Sequence, residues 1–127
     1  LKTNYVKTNK RLKKNIKKSK FKLIKGFVEE TCKNKNPRDY GINKISLALF
    51  DMDLGTPTLI GLEFIKSSLV EGSIIAFDEY FAYKGSIEKG EYHAFEIFKK
   101  NNPNLTFREF KVWGIASHSF MLSKIKK

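Results

Sequence analysis

A single cysteine, Cys32, in 127 residues rules out an intrachain disulfide. A disulfide-stapled secreted scaffold is therefore not expected, and a reducing compartment, the cytoplasm, is. No uninterrupted apolar run approaches the roughly 18 residues that a membrane span needs. The basic N-terminus also lacks the apolar core and small-residue cleavage site of a signal peptide. Acid is missing altogether from residues 1–26, which hold 11 of the 25 Lys and Arg and leave 14 basic against 13 acidic residues from Phe27 onward. The net charge of +12 therefore belongs to the head, and the body is close to neutral. A nucleic-acid module spreads cations over a folded face and interleaves them with stacking aromatics, whereas "KTNKRLKKNIKKSKFK" offers only Phe21 among its lysines. A solvated surface helix is the reading, with nucleic acid not the expected partner. Leu1 is not a start methionine, which suggests a longer parent chain.

The body has the material for one core: 41% hydrophobic content, with 11 Phe. Leu12 and Ile16, four apart, place one narrow apolar stripe on a charged helix, so residues 1–19 read as a basic helical head and residues 20–127 as the folded unit. "FKLIKGFVEET" is a short strand candidate broken at Gly26, and "KNKNPRDYGINK" is dense in turn formers. "ISLALF", residues 45–50, is almost wholly apolar, as in a parallel strand covered on both faces. Thr56 and Pro57 supply a helix N-cap and a first-turn proline. Leu59, Leu62, Ile65 and Leu69 then recur at helical spacing, predicting a helix from about Pro57 to Val70 that Glu71-Gly72 closes. "SIIAF", residues 73–77, is a second buried-type strand. "EYHAFEIFKKNNP" predicts a helix burying Ala94, Phe95 and Phe98, and the alternating "LTFREFKVW" and "SHSFMLSKI" predict an antiparallel pair at a sheet edge. Strand, helix, strand, helix and hairpin make the back half of a doubly wound α/β sheet.

Both apolar strands run straight into acids. Consecutive parallel strands joined by a helix usually lie side by side, and ligands bind beyond their C-terminal ends. Asp51, Asp78 and Glu79 are thus expected on one rim, where mutual repulsion calls for a proton or a cation. An all-oxygen set of this kind suits a hard dication, Mg2+ first. The plain alternative is that strand-end acids cap helices or face water. Asp53 has two readings, a general base beside the metal or a cap for the helix near Pro57. Glu91 either faces the crevice or starts its helix with a favourable charge. His93 and His118 are lone histidines, which are more often structural than catalytic.

Two families share parts of this pattern. "LFDMDLGT" resembles the opening motif of haloacid-dehalogenase-like phosphohydrolases, but Leu54 is inserted before Gly55-Thr56 and the motif stands mid-chain. From about Lys20 to Ile125 the sequence resembles the C-terminal half of the macrocin-O-methyltransferase-like (TylF-like) class I S-adenosylmethionine-dependent methyltransferases. Four segments carry the resemblance in order: "LIKGFVEET", "LALFDMDLGTPT", "EGSIIAFDEY" and "KGEYHAFEIF". The tyrosine that many relatives carry soon after Asp-x-Asp is absent, with Gly55 nearby.

The resemblance implies a partial Rossmann-like class I methyltransferase sheet, mostly parallel with a terminal antiparallel hairpin. It implies S-adenosylmethionine and Mg2+ as cofactors, with Asp51, Asp78 and Glu79 holding the metal and Asp53 acting as base. The partner would be a small hydroxylated molecule, a sugar or a natural product. Gly26 and Phe27 fall where the cofactor adenine would lie, although a strand-end turn with a core Phe explains the pair more cheaply. The Gly-rich turn that grips the methionine end of the cofactor in such enzymes is missing: the 8 glycines never occur as Gly-x-Gly. The expectation is a methyltransferase fragment, inactive alone and weak in cofactor binding. The reading from a different class is a non-catalytic basic interaction module that keeps the α/β half-sheet.

Overall fold

A computed structural model of the chain describes residues 4–16 and 21–127. The end of the expected head, at residue 19, lies outside the described residues. Helix α1 spans Tyr5–Asn15; the Asn4 side chain accepts from the Lys7 amide at 3.2 Å, and Lys13 and Lys14 sit favourably in its last turn. Its expected stripe, Leu12 and Ile16, is half-buried.

No strand forms over the segment around Gly26. Phe27 instead caps the short helix α2, Val28–Thr31, its carbonyl accepting from the Glu30 and Thr31 amides and, at 2.9 Å, from Thr31 Oγ1. Gly26 has φ +137°, and a Cβ there would lie 2.9 Å from Thr31 Cγ2, so the turn into α2 requires glycine.

Beyond it come β1 (Ile45–Phe50), α3 (Gly55–Ile65), β2 (Leu69–Phe77), the short turn α4 (Ala82–Gly85), α5 (Gly90–Asn101), β3 (Leu105–Trp113) and β4 (Ser117–Ile125). The sheet order is β1-β2-β4-β3, with β1 and β2 parallel and β4 antiparallel to both its neighbours. This is the expected α/β fold, a partial Rossmann-like sheet closed by an antiparallel hairpin. The expected antiparallel pair at a sheet edge is there: β4 pairs with β2 and β3 lies outermost, with β1 at the opposite edge. The residues explain the order, since β4 carries Phe120 and Leu122 into the core whereas β3 is largely exposed.

Helix α3 starts two residues before Pro57 and stops at Ile65; Leu69 and Val70, expected in the helix, begin β2, and Glu71-Gly72 lie within that strand. Apolar spacing could not separate the two because the strand follows a single 3-10 turn, Lys66–Ser68, without a glycine break. Ile45 pairs with Leu69 and Leu47 with Ile74, so β2 carries extra residues in this interval. Ser73 holds this irregularity: its hydroxyl accepts from the Val70 amide at 2.9 Å and donates to the Ile45 carbonyl at 2.6 Å.

Helices α3 and α5 pack against one face of the sheet. Gly61 permits the approach, since a Cβ there would stand 2.7 Å from Phe50 Cε1. The expected face of α5, Ala94, Phe95 and Phe98, is fully buried. Phe77 lies at the centre of the aromatic core, with the rings of Phe95 at 5.0 Å, Phe50 at 5.4 Å, Tyr80 at 5.6 Å and Phe120 at 6.2 Å. The opposite face is open among the described residues. Leu47 and Leu49 are 63% and 62% exposed, so the double-sided cover expected for "ISLALF" is not found. No helix among the described residues is long and apolar enough to cross a membrane.

Candidate active site at the strand ends

The parallel pair β1 and β2 delivers its acids to one place. Phe50 pairs with Phe77, and the Asp78 amide donates to the Phe50 carbonyl at 2.9 Å, extending the ladder one residue past β2. Asp51 and Asp78 thus leave adjacent strands at the same end. Ser117, at the start of β4, donates to the Asp78 carbonyl at 2.7 Å and to its Oδ1 at 3.1 Å, which fixes that carboxylate from the hairpin side.

Asp53 sits in a tight turn. The Leu54 amide donates to the Met52 carbonyl at 2.5 Å, and Asp53 between them has φ +59°. A γ-turn with positive φ is sparsely populated and persists only where neighbours hold it. One such neighbour is Tyr83, whose hydroxyl donates to the Asp53 carbonyl at 3.2 Å. The N-cap of α3 is Leu54, with no side-chain capping bond. The helix-cap reading of Asp53 therefore falls, and its carboxylate is free for the rim.

The carboxylates feel one another. Glu79 is held above the ordinary glutamate value, first by the charge of Asp53, then by partial burial, by a hydrogen bond shared with Asp53, and by the charges of Asp78 and Asp51. The largest influence on Glu79 is thus Asp53, which lies outside the expected metal set. The oxygen donors suit a hard dication, and one would relieve the repulsion recorded at Glu79. Among the described residues, however, no three His, Cys, Asp or Glu side chains stand together as a metal-holding group.

The repulsion has a measurable consequence. A carboxyl whose pKa is raised on folding contributes stability below its unfolded value, here 4.5, and loses it as pH rises through the folded value. Glu79→Gln removes that loss. Its thermal midpoint should exceed that of the unsubstituted protein at pH 7, and the gain should vanish below about pH 4, where Glu79 is protonated in both states. Equal midpoints at pH 7 would mean that no net repulsion acts on Glu79.

Sequence reasoning did not find what holds the rim together. Glu91, in the first turn of α5, is 0% exposed. Its Oε1 accepts from the Met52 amide at 3.2 Å and its Oε2 from the Glu79 amide at 3.0 Å. Burial raises its pKa, those two amides lower it, and the charges of Glu79 and Asp51 raise it again. Both expected roles, facing the crevice or merely starting a helix, understate its position. The only signal in the sequence was an acid at a helix start.

The remaining candidates lie apart from these contacts. Phe27 is 75% exposed, so it is not the core residue of the cheaper reading, and Gly26 precedes it in the turn into α2. His93 Nδ1 lies 3.2 Å from the Ile87 carbonyl, a structural bond. His118 is buried and stacked on Phe120 at 4.5 Å; its Nδ1 has no partner among the described residues.

An α/β sheet with an acidic rim beyond two adjacent parallel strands defines a class of ligand-binding folds, not a single activity. No family model matches the chain, and no curated protein does. Among solved structures, the chain is similar to the apo structure of CalS11, a TDP-rhamnose 3′-O-methyltransferase of calicheamicin biosynthesis, at 28% identity over 78% of this chain and 40% of that one, with a TM-score of 0.48. A second structure, of the calicheamicin methyltransferase CalS11, is 30% identical over 78% of this chain and 36% of that one, with a TM-score of 0.49. The chain thus spans about two fifths of the length of these proteins.

Proposed function

We propose that this chain carries the acidic half of the active site of an S-adenosylmethionine-dependent O-methyltransferase that modifies a hydroxyl of a small molecule, a sugar or a natural product. The observation that carries the reading is the shared rim: two hydrogen-bonded parallel strands end in Asp51 and Asp78, and the charges of Asp51, Asp53 and Asp78 all act on Glu79. Methyl transfer to oxygen needs a hydroxyl stripped of its proton and held in line with the donor, and carboxylates at strand ends suit both tasks.

Asp53 is the base in this reading. It is free of any capping bond, so its carboxylate can take the proton of the acceptor hydroxyl. Mg2+ on Asp51, Asp78 and Glu79 would require these acids to draw closer together than they stand here, and Gly26 with exposed Phe27 would offer a flat place for the adenine. Bound S-adenosylmethionine supplies the electrophilic methyl, and a bound dication lowers the pKa of the acceptor hydroxyl. Ser117 keeps the Asp78 carboxylate turned to the rim throughout.

The test is methyl transfer from labelled S-adenosylmethionine to hydroxylated acceptors by the intact protein that carries this sequence, with Mg2+ and with EDTA. Incorporation into acceptor oxygen that falls at least about a hundredfold with EDTA is expected. Transfer unaffected by EDTA would remove the metal from the reading. No transfer to any hydroxylated acceptor, with S-adenosylmethionine bound, would remove the activity.

A further inference from the structure

We infer that Glu91 is the positioning residue of the rim: its buried carboxylate clamps the Met52 and Glu79 amides and thereby sets the spacing between the backbone segments that carry Asp53 and Glu79. The relevance to catalysis rests on the proposed function; the clamp itself does not.

Three observations converge on it. First, Glu91 is wholly buried yet fully used, with one oxygen on each of two segments that are 39 and 12 residues away in sequence. Beyond Asp78, the two segments have no ladder to hold them, so a cross-link there decides how far apart they stand. Second, the Met52 amide belongs to the residue that opens the γ-turn around Asp53, and the Glu79 amide directly follows Asp78, whose own amide closes the ladder on Phe50. The clamp therefore grips the backbone where both segments leave their strands.

Third, α5 is anchored where the clamp needs it. Phe95 and Phe98 bind the helix into the core, and Gly90 enters it at φ +66° with the Tyr83 ring so close that a Cβ would lie 2.9 Å from Tyr83 Cε2. The hydroxyl of that same Tyr83 bonds to the Asp53 carbonyl. Tyr83 and the following Lys84 have φ +56° and +60°, sparsely populated values for residues with side chains, and the turn α4 is bent around this contact. Glu91 and Tyr83 thus hold the Asp53 turn from its two ends, and neither needs to touch substrate.

Glu91→Gln tests the clamp. The amide keeps the size of the side chain but has one acceptor oxygen, so one of the two backbone N–H groups must face an NH2 group and lose its bond. Amide hydrogen exchange on the full chain should speed up about tenfold or more at Met52 or Glu79, while Ile75 and Phe77 within β2 keep their protection relative to one another and to the global unfolding rate. In methyl transfer by the intact protein, kcat should fall about tenfold or more while the KM for S-adenosylmethionine stays unchanged. Should Glu91→Gln fail to fold, Glu91→Asp, one methylene shorter and still charged, is read in the same way.

Unchanged exchange at both amides, or acceleration spread evenly over the core, overturns the inference, because a merely structural glutamate would act through global stability alone. Local acceleration in a protein that shows no methyl transfer leaves the clamp standing and removes the proposed function instead.

Discussion

Phe77→Ala should lower the stability of the protein by about 3–5 kcal/mol, the range for an aromatic ring cut from a packed core. Phe77 is fully buried, and four other rings close on it from β1, from α5, from β4 and from the loop after β2. Truncation removes the one ring common to all of them and leaves a cavity whose lining cannot collapse, because Phe50 and Phe120 are fixed on neighbouring strands and Phe95 on a helix. Urea denaturation checks this: the midpoint should fall with little change in slope, the mark of lost stability rather than altered compactness. An unfolding free energy within about 1 kcal/mol of the parent's would mean that the core repacks, contrary to the close-packed picture. Phe77 also directly precedes Asp78, so the damage should reach the rim.

Under the proposed function, Asp53→Asn should reduce methyl transfer by about 10²–10⁴, the contribution expected of a positioned general base. The substitution suits its purpose unusually well. Asparagine is among the few residues with a side chain that tolerate positive φ, so the γ-turn at φ +59° can persist, whereas alanine would strain it. The Tyr83 bond goes to the backbone carbonyl and is unaffected. Loss of one negative charge also relieves Glu79, so folding stability should hold or rise while chemistry falls. Kinetics of the intact protein and a thermal melt, taken together, decide the matter. Retained kcat in a folded Asp53→Asn protein would exclude Asp53 as the base, and lost activity with a lowered melting temperature would leave the substitution uninformative about chemistry, to be repeated with Asp53→Glu.

Over Tyr5–Asn15 the lysines are exposed on a helix with an asparagine cap. The reading of a stripe at Leu12 and Ile16 needed nothing beyond a period of 3.6 residues. The face of α5 was legible for the same reason, and so was the exit of Asp51 and Asp78 from adjacent parallel strands at the same end, because two apolar strands separated by one helix have few ways to pair. Other features were out of reach. Gly26 looked like a break in a strand and is instead the turn into α2, since short apolar runs do not distinguish a strand from an exposed loop. The border between α3 and β2 was misplaced, with the helix ending at Ile65 rather than Val70 and the strand starting at Leu69 rather than Ser73, because Leu69 fits both periods.

Local order and the location of the acids follow from the amino-acid sequence by itself: apolar periodicity decides which segments become strands or helices, and charge at the strand ends marks the rim. The insertion of β4 beside β2, the open face over Leu47 and Leu49, and the clamp of Glu91 on Met52 and Glu79 were decided only by tertiary structure. The physical reason is that each depends on groups far apart in the chain competing for the same buried space or the same backbone donor. No local pattern records who wins.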